Sequence, residues 1–554
     1  MSGAAEGTVS AAGEGQSRIR GSGGELALAA LLPYGVNEIF TLSGGHIFPI
    51  YDACVKRDVA IYDVRHEQTA TFAAEAMAKL TRRPGVAVLT AGPGVTNGIS
   101  AITTASFNGS PLVVIGGRAP HGRWGAGSLQ ELDHVPIVAP VTKWARTIEA
   151  TDDIAAMVGE AAARATTSHR GPTFVDIPLD VFFGHGEGDV AGASSPGGGV
   201  APDPDDVTTA AALLAQARRP AIVAGGDVYW DGAWHALRRV VEELRVPTFV
   251  NGLGRGCLPA DHELAFARTR SYLKQADVVA VVGTPLDFRL SFGRFGDAQV
   301  IHIVDSPESR AAHVDAVVSP AGDLTTTLEG MAAYTGPRAD HEEWIATLRA
   351  DESAKREAER AELEADTAPI HPARIYGELR KVLDRDAVVI GDGGDFVSYA
   401  GKLVDSFEPG RWLDPGPYGC LGTGMGYAMA SRVAHPDKQV VLLSGDGAIG
   451  FNGMDVDSLV RHKLPVLIIV GNNGIWGLEK HPMQAIYGYD VAADLQPGCR
   501  YDEVVAALGG AGELVEKPGD LAAAFQRGLD ADVPYLVNVL TDPANAYPRS
   551  SNLG

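Results

Sequence analysis

Short apolar runs recur along this chain, each closed by Gly, Pro or a polar turn, with stretches of helical periodicity between them. In the first third they fall at residues 38–42, 60–64, 85–90 and 112–115. Strands separated by helices imply βαβ units around a parallel sheet. The alternation returns at 220–224, 248–251, 278–282 and 300–304, and again at 387–390, 439–443 and 465–470. The expected fold class is therefore α/β, with three doubly wound parallel-sheet domains, and the first and third invite comparison as related folds.

Breaks in the pattern divide the chain. Residues 1–18 are small and polar and read as a disordered tail, because they cannot bury enough surface to offset ordering entropy. A first domain covers 19–188, and the Gly-, Pro- and Asp-rich stretch at 189–206 reads as a linker. The central domain spans 207–335. Residues 336–369 carry mixed-sign charge with helix-favouring composition and read as a solvated helical connector. The third domain runs from 370 to 545, and 546–554 form a polar tail.

Composition narrows the partners. The 554 residues hold 46 Lys and Arg against 69 Asp and Glu, a formal charge of -23, which disfavours nucleic acid and anionic membrane surfaces as partners. Cys54, Cys257, Cys420 and Cys499 are far apart and form no CxxC pair, so neither a disulfide framework nor a zinc ribbon is expected. No apolar run approaches the roughly 18–20 residues that span a bilayer. The first residues carry neither a basic nor an apolar segment of the signal-peptide kind. A cytoplasmic protein is the expectation.

The most informative segment is 445–476 (GDGAIGFNGMDVDSLVRHKLPVLIIVGNNGIW). An apolar strand runs into Gly445-Asp446-Gly447, then a helix, then a second apolar strand ending at Asn472-Asn473. In a parallel sheet this path returns the chain to the same edge, so Asp446 and Asn473 converge there. A carboxylate and an amide oxygen suit a hard divalent ion such as Mg²⁺ that keeps its other positions for phosphate and water. The glycines let backbone N–H groups approach a diphosphate. A second GDG, Gly391-Asp392-Gly393, has no Asn pair at the matching distance.

Arg65-His66-Glu67-Gln68 follows the strand at 60–64. The zinc-protease pattern HExxH fails because Ala70 stands where the second histidine belongs. On its own Glu67 reads more readily as an acid at a helix start, stabilising the helix dipole, than as a catalytic group. No GxSxG is present, and Gly401-Lys402 is followed by Leu403, so neither a serine hydrolase nor a P-loop is indicated.

Together these segments resemble the thiamine-diphosphate-dependent enzyme superfamily, in its acetolactate synthase and oxalyl-CoA decarboxylase branch. The resemblance spans residues 22–545 and makes the three blocks a pyrimidine-binding (PYR) domain, a central nucleotide-binding-like domain and a diphosphate-binding (PP) domain. It implies thiamine diphosphate and Mg²⁺ as cofactors. Asp446, Asn473 and the carbonyl of Ile475 would hold the metal, and Gly445, Gly447, Ala448 and Gly393 would line the diphosphate. Glu67 would hydrogen-bond N1′ of the aminopyrimidine. Loops at 44–46 (GGH) and 91–97 (AGPGVTN) would surround the pyrimidine and substrate, bringing in His46 and Asn97. Leu421, in 419–425 (GCLGTGM), would wedge between the two cofactor rings. Gln130 and Glu131 fit a family loop that reaches the active site, or else are exposed loop residues. His46 either handles a substrate proton or is satisfied by backbone groups. Gly225, Arg289 and Asp305 fit an adenosine site in the central domain, implying ADP more than FAD. The resemblance also implies a homodimer or homotetramer in which Glu67 and the metal ligands come from different subunits.

Within the superfamily the chain has no His-His pair of the pyruvate decarboxylase kind. It resembles acetolactate synthases through 44–51 (GGHIFPIY), and 2-hydroxyacyl-CoA lyases through 419–430 (GCLGTGMGYAMA). The leading expectation is a carbon–carbon lyase that cleaves a 2-hydroxyacyl-CoA thioester to formyl-CoA and a ketone or aldehyde. The actinobacterial type acting on 2-hydroxyisobutyryl-CoA is the candidate. An acetolactate synthase-like carboligase, a decarboxylase and a non-catalytic relative are the alternatives.

Overall fold

The computed structural model describes residues 10–12, 16–192, 200–545 and 547, and these fall into two compact units. The first unit takes the chain up to residue 198 together with 416–434. Its strands are β1 (Ser10–Ala12), β2 (Gln16–Ser22), β3 (Glu38–Thr41), β4 (Ala60–Asp63), β5 (Gly85–Leu89), β6 (Leu112–Arg118), β7 (Trp144–Thr147), β8 (Thr173–Pro178) and β9 (His185–Ala191). Six of them form a parallel sheet in the order β4-β3-β5-β6-β8-β7. β5, β6 and β8 are buried at every residue, as central strands covered on both faces must be. One face packs Val86, Val88, Val113, Ile115, Val175 and Ile177 against Leu26, Leu31, Ile50 and Val158 from neighbouring helices. The helix Gly23–Leu31 starts with a capping box in which Ser22 and Glu25 satisfy each other's backbone N–H.

Two boundary expectations need correction. β1 pairs antiparallel with β2, and β2 with β9, so strand structure is already present at Ser10 inside the stretch read as a tail, and it continues through Ala191 into the stretch read as linker. β2 and β9 bury one face only, with alternation weakened by glycine, so no continuous apolar run marks them. The rest of the predicted tail, and linker residues 193–199, lie outside the described residues, as does 546–554 apart from Tyr547.

The second unit holds two sheets. β10 (Pro220–Ala224), β11 (Thr248–Val250), β12 (Ala265–Phe266), β13 (Val278–Val282) and β14 (Gln299–Ile303) form a parallel sheet ordered β12-β11-β10-β13-β14. β15 (Val388–Asp392), β16 (Trp412–Leu413), β17 (Val440–Gly445), β18 (Leu467–Asn472), β19 (Ala511–Val515) and β20 (Tyr535–Leu540) form the other, ordered β16-β15-β17-β18-β20-β19. Counted from its own first strand, this order is the same as that of the six-stranded sheet in the first unit. The two domains therefore share one topology.

The charged connector is also corrected. Helix Glu342–Ala358 buries Trp344, Ile345, Leu348 and Glu352 along one face. Trp344 Nε1 donates to the Pro220 carbonyl, and Glu352 Oε2 accepts from the backbone N–H groups of Ala267, Arg268 and Thr269. Its charge sits mostly on the opposite face, so the run is an amphipathic helix docked on the central domain.

Candidate functional site

In a parallel sheet the functional edge is the one at the C-terminal ends of the strands. In the first unit, β4 leads into helix Glu67–Thr81, whose first residue is Glu67. Its side chain is 7% exposed, and Oε2 accepts from Asn97 Nδ2 at 3.0 Å. Asn97 ends the short helix Pro93–Asn97 that follows β5. After β3, the loop carrying Gly44 and Gly45 reaches His46, whose Nδ1 lies 3.3 Å from Thr90 Oγ1. Burial lowers the His46 pKa, so its ring is neutral near pH 7.

His46 and Gln130, far apart in sequence, line one cavity of about 480 Å³ with Ser43, Thr90 and Arg123. Glu131 does not share that role. Its carboxylate accepts from the backbone N–H groups of Gly125 and Ser128 and so shapes its own loop. Leu421 is half-buried, and helix Gly424–Ala434, which follows it, packs along helix Glu67–Thr81. A buried cluster joins those helices. Lys79 pairs with Glu75 at 2.9 Å and donates to the Tyr427 hydroxyl, which in turn donates to Glu75 Oε2.

In the second unit β17 ends at Gly445, and Asp446 opens helix Asp446–Asn452. Asp446 is 4% exposed, with Oδ2 accepting from Gly474 N–H at 2.7 Å and Oδ1 from Gly447 N–H at 3.0 Å. Burial raises its pKa to about 6, and those backbone donors partly offset the shift. Asn473 Oδ1 accepts from Ile475 N–H at 3.2 Å. The predicted metal ligands Asp446, Asn473 and Ile475 thus meet where β17 and β18 end, all three offering oxygen atoms. Beside them the glycines are sterically required. A Cβ on Gly447 would sit 2.4 Å from the Trp476 ring. Gly393, at φ +122°, would place one 3.3 Å from Gly445 N and 3.5 Å from Ala448 Cβ. The second GDG is therefore no unrelated turn. It ends the adjacent strand and brings Gly393 against Gly445 and Ala448.

In the central domain Gly225 follows β10 and Asp305 follows β14 at the same sheet edge. A Cβ on Gly225 would meet Thr284 at 2.2 Å. Asp305 is buried and accepts from Ser309. Arg289 is held by Asp287 at 2.7 Å, and Arg270 beside them is pushed down to about 10 by burial. The buried Nη2 of Arg270 and Nδ2 of Asn251 have no hydrogen-bond partner among the described residues. This edge offers unspent donors.

Sequence reasoning missed Thr90 and Arg123 in the cavity, Trp476 behind Gly447, and Tyr501, whose hydroxyl donates to the Asp446 carbonyl at 3.3 Å. It also missed Asp176, although an acid inside the apolar run TFVDIP was a visible signal.

Models of thiamine pyrophosphate enzymes match three segments in order. The N-terminal TPP binding domain covers residues 21–137, the central domain 207–331 and the C-terminal TPP binding domain 392–539. The chain is 52% identical over 535 residues to a probable acetolactate synthase of Mycobacterium bovis and, equally, to the acetolactate synthase large subunit IlvG of Mycobacterium tuberculosis. Each alignment covers 96% of this chain and 97% of the relative. Identity to 2-hydroxyacyl-CoA lyase 2 is 34% for the Caenorhabditis elegans protein, over 89% of this chain and 84% of that one. For the Homo sapiens protein it is 33%, over 94% and 90%. With the sheet edges as described, this chain belongs to the thiamine pyrophosphate enzyme family.

Proposed function

We propose that the chain is a thiamine-diphosphate- and Mg²⁺-dependent lyase that cleaves a 2-hydroxyacyl-CoA to formyl-CoA and a ketone or aldehyde. The residues present fit the cofactor. Gly447 leaves room that a side chain would lose to the Trp476 ring, Gly393 holds a φ of +122° that favours glycine, and Asp446, Asn473 and the Ile475 carbonyl form an all-oxygen set for a hard cation. Gly445, Gly447 and Ala448, with Gly393 beside them, would line the diphosphate, Leu421 would support the ring system, and Glu67 would exchange a proton with the aminopyrimidine. Thiamine diphosphate, when bound, supplies a carbon nucleophile and accepts the electron pair of a broken carbon–carbon bond.

The lyase reaction turns on proton transfer. For the bond between the thioester carbonyl and the carbinol carbon to break, the hydroxyl hydrogen must leave as the carbonyl of the ketone forms. Another proton must reach the one-carbon fragment that becomes formyl-CoA. A base is needed at the hydroxyl, and His46 is neutral there, beside Thr90 and Gln130 in an open cavity. His46, placed against Thr90 in the cavity it shares with Gln130, is the observation that carries the reading. Arg123, a cation on the same cavity wall, suits an anionic handle of the substrate. Mass spectrometry of 2-hydroxyisobutyryl-CoA incubated with enzyme, thiamine diphosphate and Mg²⁺ tests it. Formyl-CoA and acetone support the lyase; intact thioester refutes this substrate class.

A second reading rests on the 52% relatives named as acetolactate synthases. Here two pyruvates and a proton from solvent would give acetolactate and CO₂, with His46 relaying that proton to the new alkoxide. CO₂ released without a coupled product would mark a decarboxylase. The active unit in this proposal is a homodimer or homotetramer with Glu67 and Asp446 supplied by different subunits. Mixed oligomers of Glu67→Gln and Asp446→Ala chains should then regain activity that neither variant has alone. The unpartnered donors of Arg270 and Asn251 suit the anionic diphosphate of an adenine nucleotide, for which ADP is the candidate, at Gly225, Arg289 and Asp305. Equilibrium dialysis with ADP tests that assignment.

A further inference from the structure

β8 is apolar except for Thr173 at its start and Asp176, whose carboxylate is fully buried. Its Oδ2 accepts from Arg118 Nη1 at 2.8 Å and lies 2.9 Å from His134 Nδ1, while Oδ1 has no hydrogen-bond partner among the described residues. Arg118 also covers the Trp124 ring, 4.0 Å from its centroid. Facing a guanidinium that can only donate, Asp176 Oδ2 acts as an acceptor. The proton of His134 must then sit on Nδ1. On the other side of the ring, Nε2 lies 2.9 Å from the backbone nitrogen of Gly92. A backbone N–H can only donate, so Nε2 must carry the lone pair. Both neighbours demand one neutral tautomer, in a ring that is 0% exposed.

The group this ring holds is unusual. Gly92 has φ +60° and ψ -112°, a conformation open only to glycine, and a Cβ there would meet Gln130 at 3.0 Å. Gln130 is itself at φ +59°. Gly92 caps the five-residue helix that ends at Asn97, the donor to Glu67. One N–H···N bond therefore anchors a turn that connects to Glu67 through Asn97 and to the cavity wall through Gln130.

We propose that His134, locked by Asp176 and Arg118, is a positioning residue for the cofactor-activating glutamate. It fixes the Gly92 turn so that Asn97 holds the Glu67 carboxylate and Gln130 keeps its place in the cavity. The inference deepens the reading of Glu67 given above and rests on it. His134→Phe removes both hydrogen-bonding nitrogens, whereas His134→Gln keeps an acceptor within reach of the Gly92 N–H.

Two readouts test the role apart from turnover. The first is amide hydrogen exchange across residues 92–97 in the cofactor-free full chain. The wild-type Gly92 amide should be protected, with protection lost in His134→Phe and largely restored in His134→Gln. The second is exchange of the C2 hydrogen of bound thiamine diphosphate with D₂O. His134→Phe should slow it at least about tenfold, the scale at which outer partners of a site histidine matter, and His134→Gln should recover most of that rate. Rapid exchange of Gly92 in the wild type overturns the proposal without any variant, so a folding failure of His134→Phe does not shelter it. C2 exchange slowed by Glu67→Gln but untouched by His134→Phe also overturns it. If Glu67→Gln itself leaves C2 exchange intact, the prior reading of Glu67 is what fails.

Discussion

The two six-stranded sheets run their strands in the same order but carry different chemistry on the same edge. After the first strand one has Gly44-Gly45-His46 and the other Gly393-Gly394; after the third, one has Ala91-Gly92-Pro93 and the other Gly445-Asp446-Gly447. After the fourth, one places Arg118 against Asp176 and the other Asn472-Asn473. The first edge thus collects titratable side chains, and the second collects carboxylate and amide oxygens beside glycine backbone. A duplicated topology guarantees where loops emerge, and loop residues alone decide what each edge binds. The interiors differ too. The first domain ties helix Glu67–Thr81 to Tyr427 through a buried Glu75–Lys79 pair, whereas helix Pro372–Leu379 beside the other sheet packs through Ile375, Tyr376 and Leu379.

The sharpest way to break this division of labour is Asp446→Ala. It should abolish Mg²⁺-dependent binding of thiamine diphosphate in titration calorimetry, and retained affinity would remove the second edge from the metal site. Glu67→Gln should do the converse. Turnover should fall about 10²–10⁴-fold, the usual weight of a general acid–base group, while cofactor binding persists. A joint loss of binding would mean that the two edges are not chemically separate.

Next comes the interior. Lys79→Met leaves Glu75 buried without its cation and should cost about 3–5 kcal/mol, seen as a lower denaturant midpoint. An unchanged midpoint would show that Asn108 and Ser110, which also donate to Glu75, suffice to satisfy it.

The smallest expected effect is a pH dependence. Asp446 titrates near 6 in the free protein, raised from 3.8 chiefly by burial. A cation binds the ionised form, so Mg²⁺-dependent cofactor affinity should be full above about pH 6 and fall about tenfold per unit below it. In the cofactor-free protein the sign is opposite for stability. A raised carboxylate pKa means that the folded state holds its proton longer, so this group's contribution is present below about pH 4 and lost as pH rises through about 6. A binding curve flat from pH 5 to 8 would show that Asp446 does not limit loading.

Much of this was legible before folding. The runs at 220–224 and 278–282 are strands at those bounds, because strands buried on both faces need unbroken apolar residues. Asp446 and Asn473 were found together because one helix and one strand separate them, a spacing that topology converts into proximity. β2 and β9 escaped because only one face of each is buried. The face of helix Glu342–Ala358 that carries Trp344 and Leu348 was obscured by the charges opposite it. The pairing of His134 with Asp176 was silent for another reason. They lie on different elements, and their meaning arises from hydrogen bonds that link residues 92, 118, 134 and 176.

By itself, then, the sequence determined the α/β class, the three-block order and the paired motifs of a thiamine-diphosphate enzyme, since all of these are periodicities or short spacings along one chain. Only tertiary structure decided that His46 and Gln130 share a cavity, that Gly447 must remain glycine against Trp476, and that His134 is held in one tautomer. Each depends on atoms brought within a few ångströms by packing, where sterics and hydrogen-bond direction act and sequence distance has no bearing.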